Sequence, residues 1–216
     1  MFQFQGIWFP DGEKHFPEWM AKHGEIVDGR GTYQIKKLRA ALEHCKQFRQ
    51  AVDVGAHVGL WSMHLAQRFE AVIAYEPVPA FYQCFGENVK APNVFLRFKA
   101  LGAKRGSVLM KVDPADTGGT YVAREGGEIE NMETLDSRGL DRVDFIKIDC
   151  EGYELEVLKG ARKTLERCRP CVIVEQKQHK LGPNFGISGT PAVDYLKDMG
   201  AVVRREMGGD YILTFD

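Results

Sequence analysis

The run Ala51-Val52-Asp53-Val54-Gly55-Ala56-His57-Val58-Gly59 constrains the fold of this chain more than any other stretch. A short strand-like segment ends in a turn carrying two glycines, and a helix-like segment, residues 60–69, follows at once. A buried strand that breaks into a glycine turn and a helix start is where an open α/β sheet receives a nucleoside-containing ligand. Backbone N–H groups and the positive helix end converge there on an anionic group, and glycine allows close approach to the backbone. The spacing separates the candidate ligands. A pyrophosphate is met by G-x-G-x-x-G, whereas here Gly55 and Gly59 are separated by Ala56-His57-Val58. Asp53, an acid inside the strand, is poorly placed beside a pyrophosphate and well placed beside an amino acid's ammonium group. A second apolar strand, Ala71-Val72-Ile73-Ala74-Tyr75, ends at Glu76-Pro77, and Glu76 lies 17 residues after Gly59 (76 − 59). That is close to the offset at which an acid takes ribose hydroxyls. Together these features suit S-adenosylmethionine better than a nicotinamide cofactor.

The rest of the chain alternates strand-like and helix-like segments, the pattern of a mostly parallel sheet covered by helices. Helical spacing predicts helices over residues 33–48, 60–69, 81–89, 153–167 and 191–199. Strands are predicted at 51–54, 72–75, 94–98, 107–112, 143–149 and 172–175, with a terminal hairpin from 202–205 and 211–215. Ala100-Leu101-Gly102 reads as a turn, and glycine-rich 113–131 as a loop or hairpin. The expected organisation is one α/β domain. Residues 1–50 form an N-terminal lid or helical extension, 51–175 the cofactor-binding core, and 176–216 a substrate loop and the strands that complete the sheet.

Composition narrows the function classes. With 216 residues, 44% of them hydrophobic, the chain can bury one good core. A net charge of −1 with both signs mixed leaves no nucleic-acid footprint. Apolar stretches are strand-sized, too short to span a membrane, and the start lacks the basic-then-apolar pattern of a signal peptide. Five cysteines, an odd number, read as reduced thiols of a cytoplasmic protein. Cys168-Arg169-Pro170-Cys171 has C-x-x-C spacing but no second pair to complete a zinc site.

A second constellation is Lys147-Ile148-Asp149-Cys150-Glu151-Gly152-Tyr153-Glu154. It places Asp149 and Glu151 at the carboxyl end of a core strand, the edge where open α/β sheets bind ligands. Helix capping is the competing reading for these acids. A divalent cation on Asp149 and Glu151 lacks a third ligand in the sequence, so no metal is expected.

These stretches resemble the FkbM family of S-adenosylmethionine-dependent methyltransferases. The match rests on residues 53–59, on Tyr75-Glu76-Pro77, on Thr134-Leu135-Asp136, on the long run 144–161, and on Arg169-Pro170-Cys171-Val172-Ile173-Val174-Glu175. The family usually has asparagine where His57 stands. The resemblance implies a seven-stranded Rossmann-like sheet with the cofactor across its carboxyl edge. It implies that Asp53, Gly55, Ala56, His57 and Gly59 hold the methionine part, that Glu76 takes the ribose with Pro77 shaping the turn, and that Leu101 and Gly102 border the adenine. Asp149 would sit near the sulfonium and the acceptor as catalytic base, with Glu175 and His179 as helpers. The implied reaction is O-methylation of a hydroxyl on a sugar, glycan or secondary metabolite. The rivals are a protein that binds the cofactor or its demethylated product without turnover, and a nicotinamide-dependent oxidoreductase. The aromatic N-terminus, with Phe2, Phe4, Trp8, Phe9, Phe16 and Trp19, reads as a hairpin on the core or a wall of the acceptor pocket. Glycine-rich 117–127 and the loop 182–189 are candidate lids.

Overall fold

The computed structural model describes residues 1–177, 186 and 188–216. An N-terminal hairpin, β1 (Phe2–Phe4) and β2 (Ile7–Phe9), leads to helix α1 (His15–His23). The short ribbon β3 (Ile26–Val27) and β4 (Arg30–Gly31) and helix α2 (Ile35–Leu42) follow. The core then alternates: β5 (Gln50–Val54), α3 (Ser62–Leu65), β6 (Ala71–Tyr75), α4 (Pro79–Asn88) and β7 (Val94–Arg97). Next come β8 (Ala100–Leu101), β9 (Gly106–Asp113), β10 (Asp116–Ala123) and β11 (Glu128–Glu133). After a 3-10 turn at Leu135–Arg138 the chain returns to the core as β12 (Val143–Ile148), α5 (Glu154–Lys159), α6 (Arg162–Cys168) and β13 (Cys171–Glu175). Helix α7 (Pro191–Asp198) and the hairpin β14 (Ala201–Glu206) and β15 (Asp210–Phe215) end it.

The central sheet has seven strands in the order β14-β15-β13-β12-β5-β6-β7. β7, β6, β5, β12 and β13 are parallel, and the terminal hairpin adds two antiparallel strands. This is the mostly parallel sheet with an antiparallel C-terminal hairpin that the sequence predicts. Its strands read as apolar runs because both faces are covered. Val52, Val54, Ile146, Ile148, Val172 and Val174 face a cluster shared with α5, α6 and α7. Ala51, Val72, Phe145 and Ile173 face the opposite cluster with α2, Trp61 and Leu65. Successive strands run outward from β5 on one side and from β12 on the other. The β5–β12 pair is therefore the topological switch point, where a crevice opens at the carboxyl edge.

Four sequence expectations need correction. Residues 60–69 do not form one regular helix; α3 is confined to Ser62–Leu65, with turns on both sides. The 153–167 helix divides at Gly160-Ala161. A Cβ on Gly160 would collide with the carbonyl of Gly102, so the helix passes only as glycine and restarts as α6. Asp136 accepts the Lys163 and Thr164 N–H groups and the Thr164 hydroxyl at 2.8–2.9 Å, capping that restart. Thr134-Leu135-Asp136 therefore acts here as a helix brace. Ala100-Leu101 is a strand rather than a turn, and with β9, β10 and β11 it makes a second, four-stranded sheet. Finally, 113–131 contains β10 and the start of β11, which join β9 in antiparallel pairing.

Candidate active site

The glycine turn after β5 is built from the chain's own contacts. Gly55 and Gly59 have φ of +73° and +89°, the left-handed region glycine enters freely. A Cβ on Gly55 would strike the Asp149 carbonyl, and one on Gly59 would strike Val89 beyond α4. The turn's amides are also consumed internally. The Gly55 and Ala56 N–H groups donate to the Tyr75 carbonyl at 3.1 and 3.0 Å, Gly59 N–H to the Ala56 carbonyl at 2.8 Å, and His57 N–H to Glu76 Oε2 at 2.8 Å. Those four donors are therefore not the anion cradle that the sequence suggests. A pyrophosphate would find few backbone donors here, which weighs against a dinucleotide.

Asp53 is fully buried and does not line the cavity. Its Oδ2 accepts the Ser62 hydroxyl at 2.7 Å, and its Oδ1 lies 3.5 Å from Lys147 Nζ. In the β5–β12 register Lys147 pairs with Asp53, so both side chains project from the same face. The lysine occupies the place beside Asp53 that the sequence reading reserves for a ligand's ammonium. Lys147 Nζ also donates to the Gly55 carbonyl at 2.7 Å and stands 3.9 Å from Asp149 Oδ2. Burial opposes its charge, but Asp53 and Asp149 outweigh that effect and hold the ammonium above the ordinary lysine value. Sequence reading missed Lys147 as a site residue. Its signal was one cation inside an apolar strand, two residues before Asp149.

A cavity of about 510 Å³ opens at this edge. Gly55, Ala56, His57, Glu76, Pro77, Leu101, Asp149 and Glu175 all line it, so most of the sequence-predicted residues meet in one space. Gly59 and Gly102 lie behind its wall, the latter against Met132 and Tyr153. His179 lies outside the described residues. Glu76 is nearly inaccessible, with one oxygen accepting His57 N–H and the other Val78 N–H at 2.9 Å. Burial pushes its carboxyl up to about 7 against the pull of those two hydrogen bonds.

His57 has φ +53°, a conformation that asparagine and histidine tolerate better than most residues. Its ring stacks on Phe16 with centroids 4.9 Å apart and meets Phe81 edge-on at 4.4 Å. Desolvation, helped by Lys147, presses its pKa down to about 3, so the ring is neutral. The Thr117 hydroxyl donates to Glu13 Oε2 at 2.5 Å, and Thr117 N–H reaches the same oxygen at 2.7 Å. A hydroxyl that has given its proton can only accept, so His57 donates through Nε2 at 2.8 Å. This chain ties the glycine turn to β10 and to the loop before α1. Neither Glu13 nor Thr117 is recognisable from sequence, because their contact spans 104 positions.

The far wall carries His15, Phe16, Trp19 and Tyr33, so part of the aromatic N-terminal segment faces the cavity. Phe2, Phe4, Trp8 and Phe9 pack on the core cluster behind it. Thr117-Gly118-Gly119-Thr120 of β10 lines the cavity too, at an irregularity in the β9–β10 pairing. At the sheet edge Asp149, Glu151 and Glu175 each bring an oxygen within 4.8 Å of the others. Glu175, named from the sequence as a helper, is the third carboxylate that the sequence did not join to Asp149 and Glu151. Lysines are interleaved: Lys177 pairs with Glu175, and Lys37 with Asp210. Of the three acids, Glu175 is thus paired with Lys177, and Asp149 has Lys147 3.9 Å away.

An open, mostly parallel α/β sheet with an acid-lined crevice at its switch point is the architecture of the class I methyltransferases. Two solved structures share this architecture. The FkbM methyltransferase from Methylobacillus flagellatus KT gives a TM-score of 0.53 at 19% identity, covering 78% of this chain and 44% of that one. A Streptococcus mutans protein solved in complex with SAH gives 0.52 at 11% identity, covering 85% and 97%. The methyltransferase FkbM domain matches residues 53–203, and the chain belongs to that family. Among relatives, the hexuronic acid methyltransferase AglP of Haloferax volcanii is 30% identical over 157 residues, 69% of this chain and 64% of that protein. The methyltransferase sdnD of Sordaria araneosa is 27% identical over 190 residues, 62% of this chain and 73% of that protein. No helix among the described residues is long and apolar enough to cross a membrane.

Proposed function

We propose that the chain transfers a methyl group from S-adenosylmethionine to a hydroxyl of a sugar, glycan or secondary metabolite. The observation that carries this reading is the turn after β5. Four of its five amides are spent within the chain, while the Glu76 carboxylate beside it faces the same cavity as Asp149 and Glu175. Such a set of acceptors fits a ribose diol next to a cation and gives little to a pyrophosphate. A cavity of about 510 Å³ also falls within the range of drug-sized ligands.

When bound, the cofactor supplies an electrophilic methyl on a positively charged sulfur. Glu76 would accept the ribose hydroxyls, Leu101 and Pro77 would border the adenosyl group, and Asp149 and Glu151 would supply negative potential where the sulfonium would lie. Asp149 would take the proton of the acceptor hydroxyl, whose oxygen would bond the methyl carbon as the methyl–sulfur bond breaks and leaves a neutral thioether. Glu175 stands beside it, and His179 is retained as a candidate helper. Phe16, Trp19 and Tyr33 offer flat apolar surface to a sugar ring. The name of the hexuronic acid methyltransferase relative favours a sugar as the acceptor. The same turn geometry disfavours a nicotinamide cofactor. Calorimetric titration should show binding of S-adenosylmethionine and S-adenosylhomocysteine but not of NAD or NADP. Label should then pass from methyl-labelled cofactor to a panel of glycosides, hexuronic acid glycosides included. Retention of the dinucleotide alone would sink the assignment, and cofactor binding without transfer across the panel would favour the binding-protein alternative.

Glu76 makes the binding pH-dependent. A diol donates to a carboxylate, so binding favours the ionised form, whereas burial favours the protonated one. With a pKa near 7 in the free protein, affinity for S-adenosylhomocysteine should fall about tenfold per pH unit below neutrality. The sign reverses for the unliganded fold: a raised carboxyl pKa favours the folded state at low pH, a contribution lost as pH rises through about 7. Glu76→Gln should bind more weakly and remove this pH slope. An unchanged slope would assign it to another group.

A further inference from the structure

Glu154 is 1% exposed, lies behind the cavity wall, and makes more contacts than helix capping requires. Its Oε1 accepts the Cys150 N–H at 3.0 Å and the Gly152 N–H at 2.9 Å. Those amides belong to the loop that presents Asp149 and Glu151 to the cavity. The loop is held in a sparsely populated conformation, with φ of +53° at Glu151 and +104° at Gly152. A non-glycine residue keeps such a φ only when its surroundings over-determine it. The other oxygen, Oε2, accepts Gln176 Nε2 at 3.2 Å. Gln176 is 4% exposed, and its amide orientation is fixed from the far side because its Oε1 accepts the Ala192 N–H at 2.9 Å. Its Nε2 also donates to the Glu175 carbonyl at 3.0 Å, and its backbone N–H to the Gly209 carbonyl at 2.7 Å.

We propose that Glu154 and Gln176 form a polarity-matched clamp that positions the Asp149–Glu151 loop against the end of β13, the start of α7 and the β14–β15 turn. The inference deepens the methyl-transfer reading and rests on it for its functional consequence. Both are positioning residues, and neither lines the cavity. The logic is one of donor and acceptor order. The loop offers two N–H donors, so position 154 must present an acceptor to it. The Ala192 N–H is also a donor, so position 176 must present an acceptor there. The bond between the two side chains then needs one donor and one acceptor, and an acid facing an amide supplies them. Glu154→Gln alone leaves two amide groups facing each other with a donor opposite a donor, or an unmade bond at one end. Gln176→Glu alone sets two carboxylates against each other. The exchange of both, Glu154→Gln with Gln176→Glu, restores the order with the charge moved to the other side. It loses only the bond to the Glu175 carbonyl.

The test measures S-adenosylhomocysteine affinity and amide hydrogen exchange at Cys150 and Gly152 in the two single variants and the exchange variant. Each single change should weaken affinity and speed exchange by about tenfold or more, the scale of a buried hydrogen bond to a charged group. The exchange variant should return both within about threefold of the parent, allowing for the one lost bond. A role in packing alone predicts no recovery, because the two changes would then simply add. Unaltered single variants, or an exchange variant no better than its parents, overturn the clamp. If the parent protein fails to bind S-adenosylhomocysteine, the methyl-transfer reading falls, while the hydrogen-exchange measurement still decides the clamp.

Discussion

Lys147→Met should destabilise the protein by about 3–5 kcal/mol, the cost of removing one partner from a buried ion pair. The lysine side chain is 7% accessible and that of Asp53 is 0%, so the carboxylate stays out of direct contact with water when the cation is lost. Methionine matches the length of the stem, which keeps cavity formation a minor term. What remains is a buried Asp53 carboxylate held by the Ser62 hydroxyl alone, and the Gly55 carbonyl loses its 2.7 Å donor. For a chain of this size each kcal/mol moves the melting temperature by about 2–4 °C, so a fall of roughly 6–20 °C is expected. The effect should reach function too, because Lys147 joins the glycine turn to Asp149 across the switch point. Asp53→Asn on the same background should recover part of the loss, since it removes the uncompensated charge. Denaturant unfolding of the two variants checks this. A Lys147→Met protein within about 1 kcal/mol of the parent would mean that the pair is already hydrated and unimportant.

The same pair shows where sequence reading stops. Strands β5, β6, β12 and β13 were legible because parallel strands covered on both faces become continuous apolar runs, which turn residues then delimit. Glu76 and Asp149 were legible for a related reason: they sit at strand ends, where the topology gathers them. The partner of Asp53 was not, because the register that sets Lys147 beside it belongs to two strands 94 residues apart (147 − 53). A strand motif shows that an acid is present and leaves open whether the ligand or the chain itself satisfies it. Gly55 and Gly59 illustrate the same limit. Their need for left-handed φ is visible as glycine, yet what approaches them is the Asp149 carbonyl and Val89.

The second sheet was hidden by weaker signals. β8 has only two residues, and β10 carries Gly118 and Gly119, which lower strand propensity. β11 alternates acids with Ile129, which is 74% exposed, so no buried stripe marks it. That sheet nonetheless supplies the Thr117 hydroxyl that fixes the tautomer of His57, and it walls the cavity opposite the acids. Asp136 was readable as part of a family motif but not as the cap of a helix that begins 26 residues later (162 − 136).

Asp149→Asn should reduce kcat by about a hundred- to ten-thousand-fold, the usual contribution of a positioned base, while leaving cofactor affinity within about threefold. The division follows from where the residue sits. Asp149 follows β12 at the switch point, its side chain is 19% accessible, and its carboxylate faces the cavity with Lys147 3.9 Å away. Its backbone N–H is fixed to the Val54 carbonyl at 3.2 Å, so the substitution leaves the main chain in place. Asparagine keeps the shape and one acceptor oxygen but cannot take a proton from the acceptor hydroxyl. The ribose contacts proposed for Glu76 are untouched, which is why S-adenosylhomocysteine should still bind. Positioning of donor and acceptor survives the change and can itself contribute roughly 7–11 kcal/mol, so residual transfer should stay above the uncatalysed rate. Glu175→Gln offers the contrast. Glu175 already pairs with Lys177, and its loss should cost less than that of Asp149. Single-turnover transfer from methyl-labelled cofactor to a glycoside acceptor separates these effects from product release. If Asp149→Asn keeps kcat within about threefold while Glu175→Gln abolishes transfer, the proton goes to the neighbouring strand end and the roles of the two acids are reversed.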